Sequence, residues 1–593
     1  MKRPLVIAAA LGIAVFAMYA FMAARDVMFG DGLELVASAA RNGVAHPPGY
    51  PLWIVLAHLA ALVPIGPLAY RVNLTSSAFH AITVGLVYLA GYVLVRRHGP
   101  ALFAALLLAV ASPLFVTWSL QAEVFSLNDL FAAAMTLLCL LWLEDASRWR
   151  LIVPIAALFG LGLSNQQTLI LLAPLPLWVA WCARHAIRSS KSAPQALGLA
   201  ALLLLVGFCV PYVHTLLASQ RLETWQLGEA RTVSELVDVI ARRAFGTMNL
   251  VSNPGLQGGS ALERVAALVI LGGWPYLAVG AGLTGLALRR RYSELVFAAC
   301  IVAGPLLAFC IVANLNIAGD VSRGLFARFG LMPLIALAPF SACTVFLLDA
   351  FVRNQLLRRV VIGAALCGAF VPAALRLPAL SLAAVHDPRT LTRDVFAALP
   401  PHAILLTTVA AAPPYFQTIE NRRPDVTIVR YGFLSFPEYR NDLRRTIAVP
   451  AEVGSLAVPL ERRDLLAQAN PSRPFFVVGD RWIHAPGRLY EPLVDGVVSE
   501  MIPLHARTDL RSHYAHEAAL QSRPGFGQVS AEFWKSNGFG ALVRGFYATG
   551  FFFTGFDAKL VGDRKSARGW FERAGEYSSD PLIEQELQQL GSR

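Results

Sequence analysis

Eleven apolar stretches, each near the length that crosses a lipid bilayer, constrain this chain more than any other feature. They run over 4–24, 73–95, 99–117, 127–143, 151–165, 167–183, 194–218, 265–288, 294–315, 329–349 and 358–376. About 20 apolar helical residues cross a hydrocarbon core of roughly 30 Å. Inside that core backbone N–H and C=O groups find no water, so such stretches fold as helices that bond their own backbone. The composition agrees: 56% of the 593 residues are hydrophobic and only 15% charged, against about 25% charged in a soluble domain. A disordered chain, a disulfide scaffold and a nucleic-acid module are excluded. The expected fold is a multi-span α-helical membrane protein.

A twelfth stretch, 51–65, has 15 residues. At 1.5 Å per residue it reaches only about 22 Å, too short to cross comfortably. Charge decides its place. With 51–65 lying on the outer surface, the inner side collects Lys2–Arg3, Arg96–Arg97, Arg148 and Arg150, Arg184, Arg188 and Lys191, Arg289–Arg291, and Arg353, Arg358 and Arg359. That side then carries 15 basic and 4 acidic residues, while the outer loops carry 11 of each. Letting 51–65 cross would send every later cluster outside, against the rule that basic residues stay on the cytoplasmic side. The segment is therefore expected to form an interfacial helix in the first outer loop. The N-terminus is expected in the cytoplasm and the C-terminal tail in the periplasm or extracellular space, with the chain in a bacterial inner membrane. The first stretch exceeds the 7–15 apolar residues of a cleaved signal peptide, so an uncleaved anchor is expected.

The formal charge of +12 belongs to the membrane half. Residues 1–385 hold 26 basic and 15 acidic residues, and 386–593 hold 24 and 23. Topology explains that excess better than a polyanionic partner does. All seven cysteines fall in apolar stretches, where they read as small packing residues rather than disulfide or metal partners.

The tail changes character. Short β-rich runs at Ala403–Val409, Val426–Arg430 and Phe475–Gly479 alternate with charged and Pro-rich segments, a pattern of a small α/β domain. Residues 540–592 read as two or three amphipathic helices, with Trp570, Phe571 and Ala574 on one apolar face, similar to a degenerate tetratricopeptide-type pair. The domain organisation expected is 1–376 membrane-embedded, 377–539 α/β and 540–593 helical. The tail shows no nucleotide-binding glycine fingerprint and no zinc spacing.

Charged groups at the outer ends of membrane spans are the informative residues in such a chain. The densest set follows the first stretch: Arg25, Asp26, Asp31 and Glu34, then His46-Pro47-Pro48-Gly49-Tyr50-Pro51. Asp31 and Glu34 lie three apart at the start of a helix and share a face. Asp-x-x-Glu also has the form of a capping box, so the local pattern leaves capping and chemistry both open. The prolines and glycine after His46 make a rigid elbow ahead of the interfacial helix. Arg71 and Asn73 open the next span. Trp118, Gln121, Glu123 and Asn128–Asp129 follow in a later outer loop, then Asn165, Gln166 and Gln167, and last Asp320, Arg323 and Arg328. Each alone reads as a solvated loop residue or an interfacial anchor. Together they outline an outward-facing polar cavity ringed by membrane helices.

These residues resemble a known family. Asp31-Gly32-Leu33-Glu34-Leu35, His46-Pro47-Pro48-Gly49-Tyr50-Pro51-Leu52 and Arg71-Val72-Asn73-Leu74 closely resemble an O-mannosyltransferase-like family of membrane proteins, itself similar to the GT-C glycosyltransferases. Glu123-Val124-Phe125-Ser126-Leu127-Asn128 matches its second outer-loop motif, and Arg328-Phe329 resembles its late arginine-aromatic element. Gly162-Leu163-Ser164-Asn165-Gln166 is a weaker match, because members often carry His where Gln166 or Gln167 stands. The resemblance covers roughly 25–350 well and the tail loosely.

The resemblance implies a GT-C-like fold and an inverting glycosyltransferase that takes its sugar, mannose being one candidate, from a polyprenyl-phosphate donor. The acceptor is a hydroxyl on a protein, lipid or glycan at the outer face. Asp31 then stands where the family keeps its catalytic carboxylate, with Glu34 as a second carboxylate that orients it, binds sugar or acts as base. Arg328, Arg323, His46 and Arg71 become candidates for the donor phosphate, and Glu123, Asn128, Asn165 and Tyr50 for the sugar. No metal is assigned, and a divalent cation is left open. The alternatives are a transporter or flippase, although no internal repeat is visible and the charges sit at span ends, and a non-catalytic scaffold whose tail recruits partners.

Overall fold

A computed structural model describes the chain apart from residues 1, 222–227, 229, 248, 251–256, 409–411, 436, 457, 480, 505, 531–537 and 592–593. Its contacts divide it into two units. The first is Met1–Asp26 with Leu35–Ala384, and the second is Val27–Glu34 with Val385–Arg593.

The first unit is helical. Among the described residues eight helices are long and apolar enough to cross a membrane: Lys2–Met22, Leu68–Val95, Phe125–Glu144, Ala146–Asn165, Ala193–Ser219, Tyr292–Val312, Ser322–Phe351 and Gln355–Leu380. Two bent pairs raise the number to ten. His98–Ala109 meets Pro113–Ser119 at 65°, and Ala261–Gly272 meets Trp274–Leu288 at 95°. Both bends have local causes: Ser112 caps a new helix that begins with Pro113, and Gly273 adopts a φ of 60°. Ten of the eleven apolar stretches therefore coincide with these helices or pairs. The eleventh, 167–183, is the shorter apolar helix Gln167–Cys182. The chain is a multi-pass membrane protein.

The first two long helices run antiparallel. Tyr70 Oη donates to the Ala20 carbonyl at 3.0 Å. A Cβ on Gly12 would lie 3.3 Å from the Ala81 oxygen, and one on Gly85 would lie 3.0 Å from the Ala8 oxygen. Rising residue numbers on one helix thus meet falling numbers on the other. The chain from 23 to 67 must leave and return at the same end of the bundle, so Pro51–Leu62 does not cross. The charge pattern required this, and the helix geometry supplies it independently.

The basic clusters also converge at one end. Arg97, Arg289 and Arg358 reach Asp349 at 3.0, 3.7 and 2.6 Å. Arg96 pairs with Glu144, which Arg148 meets at 3.4 Å. Arg291 donates to the Leu94 carbonyl at 2.6 Å. Segments far apart in sequence therefore share one rim, as a common side of the membrane demands.

Small residues let the helices approach. A Cβ on Gly160 would overlap the Leu204 carbonyl oxygen, and one on Gly207 would lie 2.9 Å from the Leu161 nitrogen. Glycine at such contacts replaces the hydrophobic drive that lipid does not provide. The cysteines are all free, with Cys139, Cys310 and Cys343 buried. Cys209 and Cys367 are exposed on the helices Ala193–Ser219 and Gln355–Arg376, so these two do not pack a core as their setting suggested.

The second unit contains a five-stranded sheet. The strands are β1 Ile404–Thr407, β2 Thr427–Arg430, β3 Phe475–Val478, β4 Tyr490–Asp495 and β5 Val498–Pro503, ordered β2-β1-β3-β5-β4. β1 pairs in parallel with β2 and β3, whereas β5 is antiparallel to both β3 and β4. β1, β2 and β3 are the three runs expected from sequence. The β4–β5 hairpin was missed, although Gly496-Val497 forms its two-residue turn and Gly496 has a φ of 66°. Ile404, Leu406, Val429, Phe475 and Val477 anchor the core of this unit. Three helices, Gly538–Leu560, Arg564–Tyr577 and Pro581–Gly591, close the chain. Phe571 and Ala574 are buried as their spacing implied, and Trp570 stacks on Phe551 with ring centroids 6.1 Å apart.

His484, just after β3, places Nδ1 2.8 Å from Ser499 Oγ on β5, and burial lowers its pKa to about 4. In the unfolded chain it titrates near about 6.5. Between those values the unfolded state takes up a proton that the folded state refuses. Stability therefore falls as pH drops through that window, by up to about 1.4 kcal/mol per pH unit. His484→Gln should remove this dependence. Hydrogen-exchange protection of β3 and β5 in the full chain, compared at pH about 7 and about 5, should drop in wild type and drop less in the variant. Equal losses would refute the assignment.

Candidate active site

Asn73, near the start of the helix Leu68–Val95, ties the first outer segment to a later one. Its Nδ2 donates to the Ala24 and Asp26 carbonyls at 2.9 and 3.1 Å, and its Oδ1 accepts from the Ala122 N–H at 2.8 Å. The Ala24 N–H donates to the Leu120 carbonyl at 2.9 Å. A buried amide with its donor and acceptor both engaged fixes the two loops against each other.

That tie positions Glu123. Its N–H donates to Ser76 Oγ at 3.1 Å, and its Oε1 accepts from the Val124 N–H at 3.0 Å. Its Oε2 accepts from an Arg328 nitrogen at 3.0 Å, with side chains only 2% and 12% exposed. The Arg328 guanidinium lies 5.2 Å from the Phe125 ring centroid and 6.0 Å from that of Trp118. Two motifs some two hundred residues apart in sequence are thus joined by one buried ion pair.

Beside the pair is a cavity of about 80 Å³. His46, Tyr50, Gln166, Arg242 and Arg328 line it with polar atoms, and Phe125, Phe329 and several leucines complete the wall. Tyr50 Oη and His46 Nε2 are 3.1 Å apart and their rings meet edge-on at 5.1 Å. The elbow before them is tight: Gly49 has a φ of 93°, Tyr50 a φ of 46°, and the Gly49 N–H donates to the His46 carbonyl at 2.8 Å. A glycine is at home in this left-handed geometry, and Pro51 then opens the interfacial helix. Two guanidinium groups with aromatic walls suit an anionic headgroup that carries an apolar chain.

The other sequence candidates are placed differently. Asp31 and Glu34 open the helix Asp31–Arg41, half-buried in its first turn, in the segment 27–34 that divides with the second unit. Arg71 donates to the Val63 carbonyl at 2.7 Å, at the end of the interfacial helix. Arg323 points Nε and one terminal nitrogen toward the Ile317 and Ala318 carbonyls, at 3.4 and 3.3 Å. Asn165 donates to the Val124 carbonyl at 3.1 Å, bracing the Glu123 turn, and Asn128 lies 3.6 Å from Met332 Sδ. The side chain of Asp320 lies outside the described residues. Gln121, Glu123, Asn128 and Asn165 are all at most 4% exposed. They are therefore not the solvated loop residues their local pattern suggests, because folded backbone and side-chain partners replace water.

Sequence reasoning missed Arg242, which follows no motif and reaches the cavity from a short helix–turn segment. It also missed His80. That ring is fully buried, 2.7 Å from Ser119 Oγ and 3.0 Å from Asp129 Oδ2, and it stacks on Phe115 at 4.2 Å. Helical periodicity places His80 on the same face as Asn73 and Ser76, a signal visible only once that face is known to be internal.

Removing one partner of a buried ion pair leaves the other uncompensated, at a cost of about 3–5 kcal/mol, whereas replacing both with neutral groups costs less. Glu123→Gln and Arg328→Met should each lower the thermal stability of the detergent-purified protein by that order. The double variant should lose less than the two single losses added together. Additive losses would show that the pair is not coupled.

Part of the chain is similar to known proteins. Residues 31–189 match the family described as the protein O-mannosyl-transferase TMEM260 N-terminal domain. Mouse protein O-mannosyl-transferase TMEM260 is 28% identical over 464 residues, which cover 73% of this chain and 63% of that protein. The Dictyostelium discoideum protein O-mannosyl-transferase tmem260 is 28% identical over 348 residues, covering 53% of this chain and 41% of that protein. The chain spans less than two thirds of the length of either relative. Among solved structures, ArnT from Cupriavidus metallidurans in the apo state aligns with a TM-score of 0.46 at 13% identity, covering 75% of this chain and 94% of that one. The same protein bound to undecaprenyl phosphate aligns at 0.47 and 13%, covering 85% and 99%. The match to the TMEM260 protein O-mannosyl-transferase N-terminal domain, over residues 31–189, takes in every residue given a role from the sequence except Arg323 and Arg328.

Proposed function

We propose that this chain is an integral-membrane glycosyltransferase that moves a sugar from a polyprenyl-phosphate donor to an acceptor hydroxyl, with inversion. The observation that carries the reading is the cavity in which Arg242 and Arg328 meet aromatic walls beside the buried Glu123 carboxylate. Guanidinium groups stay charged and bind phosphate oxygens through paired N–H donors. The relatives are named protein O-mannosyl-transferases, which makes mannose the first sugar to test and a protein hydroxyl the first acceptor, ahead of lipid and glycan.

In this reading Asp31 accepts the proton of the acceptor hydroxyl as its oxygen attacks the anomeric carbon. The new C–O bond forms as the bond from that carbon to the phosphate oxygen breaks, and the polyprenyl phosphate leaves with the electron pair. Glu34, one helical turn away, orients Asp31 or the sugar. Arg328 compensates the charge that grows on the departing phosphate, and Glu123 holds the guanidinium in place. His46 and Tyr50 position the donor. Asp31→Asn, assayed in nanodiscs with a panel of polyprenyl-phosphate sugars, should lower turnover by about 10²-fold or more at unchanged expression. Full activity in this variant would remove Asp31 as the base, and a protein that turns over no donor would undo the transferase reading.

The same reading places the rim that gathers around Asp349 in the cytoplasm and the cavity and tail on the outer side, in a bacterial inner membrane. The tail, read as 377–539 followed by 540–593, then faces the acceptor. A peptide tag inserted after Arg507 should be labelled on intact cells by an impermeant reagent, and one inserted after Val352 only after permeabilisation. The reverse result would invert the topology.

A further inference from the structure

The second unit carries a group of ionisable side chains that the cavity does not use. His513 and Glu517 lie one turn apart on the helix Leu510–Gln521 and share a face. Asp557 comes from the helix Gly538–Leu560. His513 Nε2 is 3.8 Å from Glu517 Oε2 and 3.7 Å from Asp557 Oδ2, and one ligand atom from each residue lies within 4.8 Å of the others.

Glu517 is 0% exposed, and among the described residues neither of its carboxylate oxygens has a hydrogen-bond partner; the same is true of His513 Nε2. Beside it lie the Gly496 N–H, outside hydrogen-bond geometry, and the Thr554 hydroxyl, which is already committed. The Thr554 hydroxyl donates to the Gly550 carbonyl at 3.0 Å, and Gln521 Nε2 donates to Thr554 Oγ1 at 2.6 Å. A buried carboxylate facing a second carboxylate and an imidazole nitrogen is a costly arrangement unless a cation sits among them.

We propose that His513, Glu517 and Asp557 bind a divalent cation of the zinc class, which ties the helix Leu510–Gln521 to the helix Gly538–Leu560. The donor set selects the metal. Calcium and magnesium favour all-oxygen shells, whereas imidazole with carboxylates suits zinc and its neighbours. Zinc bonds of about 2.0–2.2 Å in a tetrahedron set neighbouring ligand atoms about 3.3–3.6 Å apart, so the contacts at 3.7 and 3.8 Å need to close by only a few tenths of an ångström. A fourth position is left for water. The tail contains no cysteine, and the pair at 513 and 517 meets its third ligand forty residues later. That is why spacing alone shows no zinc motif.

The test uses the full chain in detergent, with a tag free of histidine, stripped by a chelator and titrated with Zn²⁺ alone. Wild type should bind one Zn²⁺ tightly at this site. Hydrogen-exchange protection in the helices Leu510–Gln521 and Gly538–Leu560 should rise at least about tenfold on binding. Glu517→Gln should cut the Zn²⁺ affinity at least about a hundredfold and abolish the rise in protection, while the metal-free variant unfolds at the same temperature as wild type or higher, because a buried charge has been removed. Asp557→Asn should reproduce the loss of affinity. Zn²⁺ binding with unchanged affinity in Glu517→Gln, or no change in protection of these helices in wild type, would overturn the proposal.

Discussion

Hydrocarbon offers no hydrogen-bond partner, and the membrane unit is arranged around that deficit. Helices satisfy the backbone within themselves, so what distinguishes this bundle is how it places the polar side chains that remain. Asn73 spends its whole amide on three backbone groups, His80 closes on Asp129 and Ser119, and Glu123 meets Arg328. Each of these joins segments distant in sequence, and each would be costly if left half-made. The polar contacts therefore set which helix ends and loops lie together at one end of the bundle.

The cavity follows from that arrangement. The Glu123 N–H donates to Ser76 and its Oε1 accepts from the Val124 N–H, so its Oε2 is presented to Arg328 in a fixed direction. Arg328 is in turn flanked by Phe125 and Trp118. A guanidinium held between a carboxylate and aromatic faces loses little conformational freedom on binding an anion. The elbow at Gly49 and Tyr50 brings His46 and Tyr50 to the same wall and turns the chain into Pro51–Leu62. A rigid approach to the cavity and a helix that returns without crossing thus have one local origin.

The second unit solves a different problem with the same chemistry. Its sheet buries Ile404, Leu406, Val429 and Val477 in an ordinary apolar core. Its helices also bury Glu517, whose carboxylate oxygens have no partner within hydrogen-bond geometry among the described residues. In water-accessible domains such a group shifts its protonation or acquires a counter-ion. The presence of His513 and Asp557 at the same point favours the second outcome.

Much of this was legible in the sequence, because some constraints act locally. Lipid forces apolar length into helices, and the basic residues that must stay on one side mark the connections between them. The apolar stretches and the non-crossing segment 51–65 could therefore be read directly, and ten of the eleven coincide with span-length helices or bent pairs. The motif residues His46, Tyr50, Glu123 and Arg328 could be named, since charged or hydrogen-bonding groups at span ends are few. Alternation and turn residues disclosed β1, β2 and β3, and the Gly496 turn signal for the β4–β5 hairpin was present but unread. What only the tertiary structure decided is partnership. Arg71 and Arg323 look like Arg328 in sequence, yet the first two turn to backbone carbonyls and Arg328 pairs with Glu123. Arg242, the His80–Asp129 contact and the meeting of His513, Glu517 and Asp557 depend on which helix faces approach. Periodicity along one helix specifies its own faces, but the identity of the neighbour is set by packing across the whole fold.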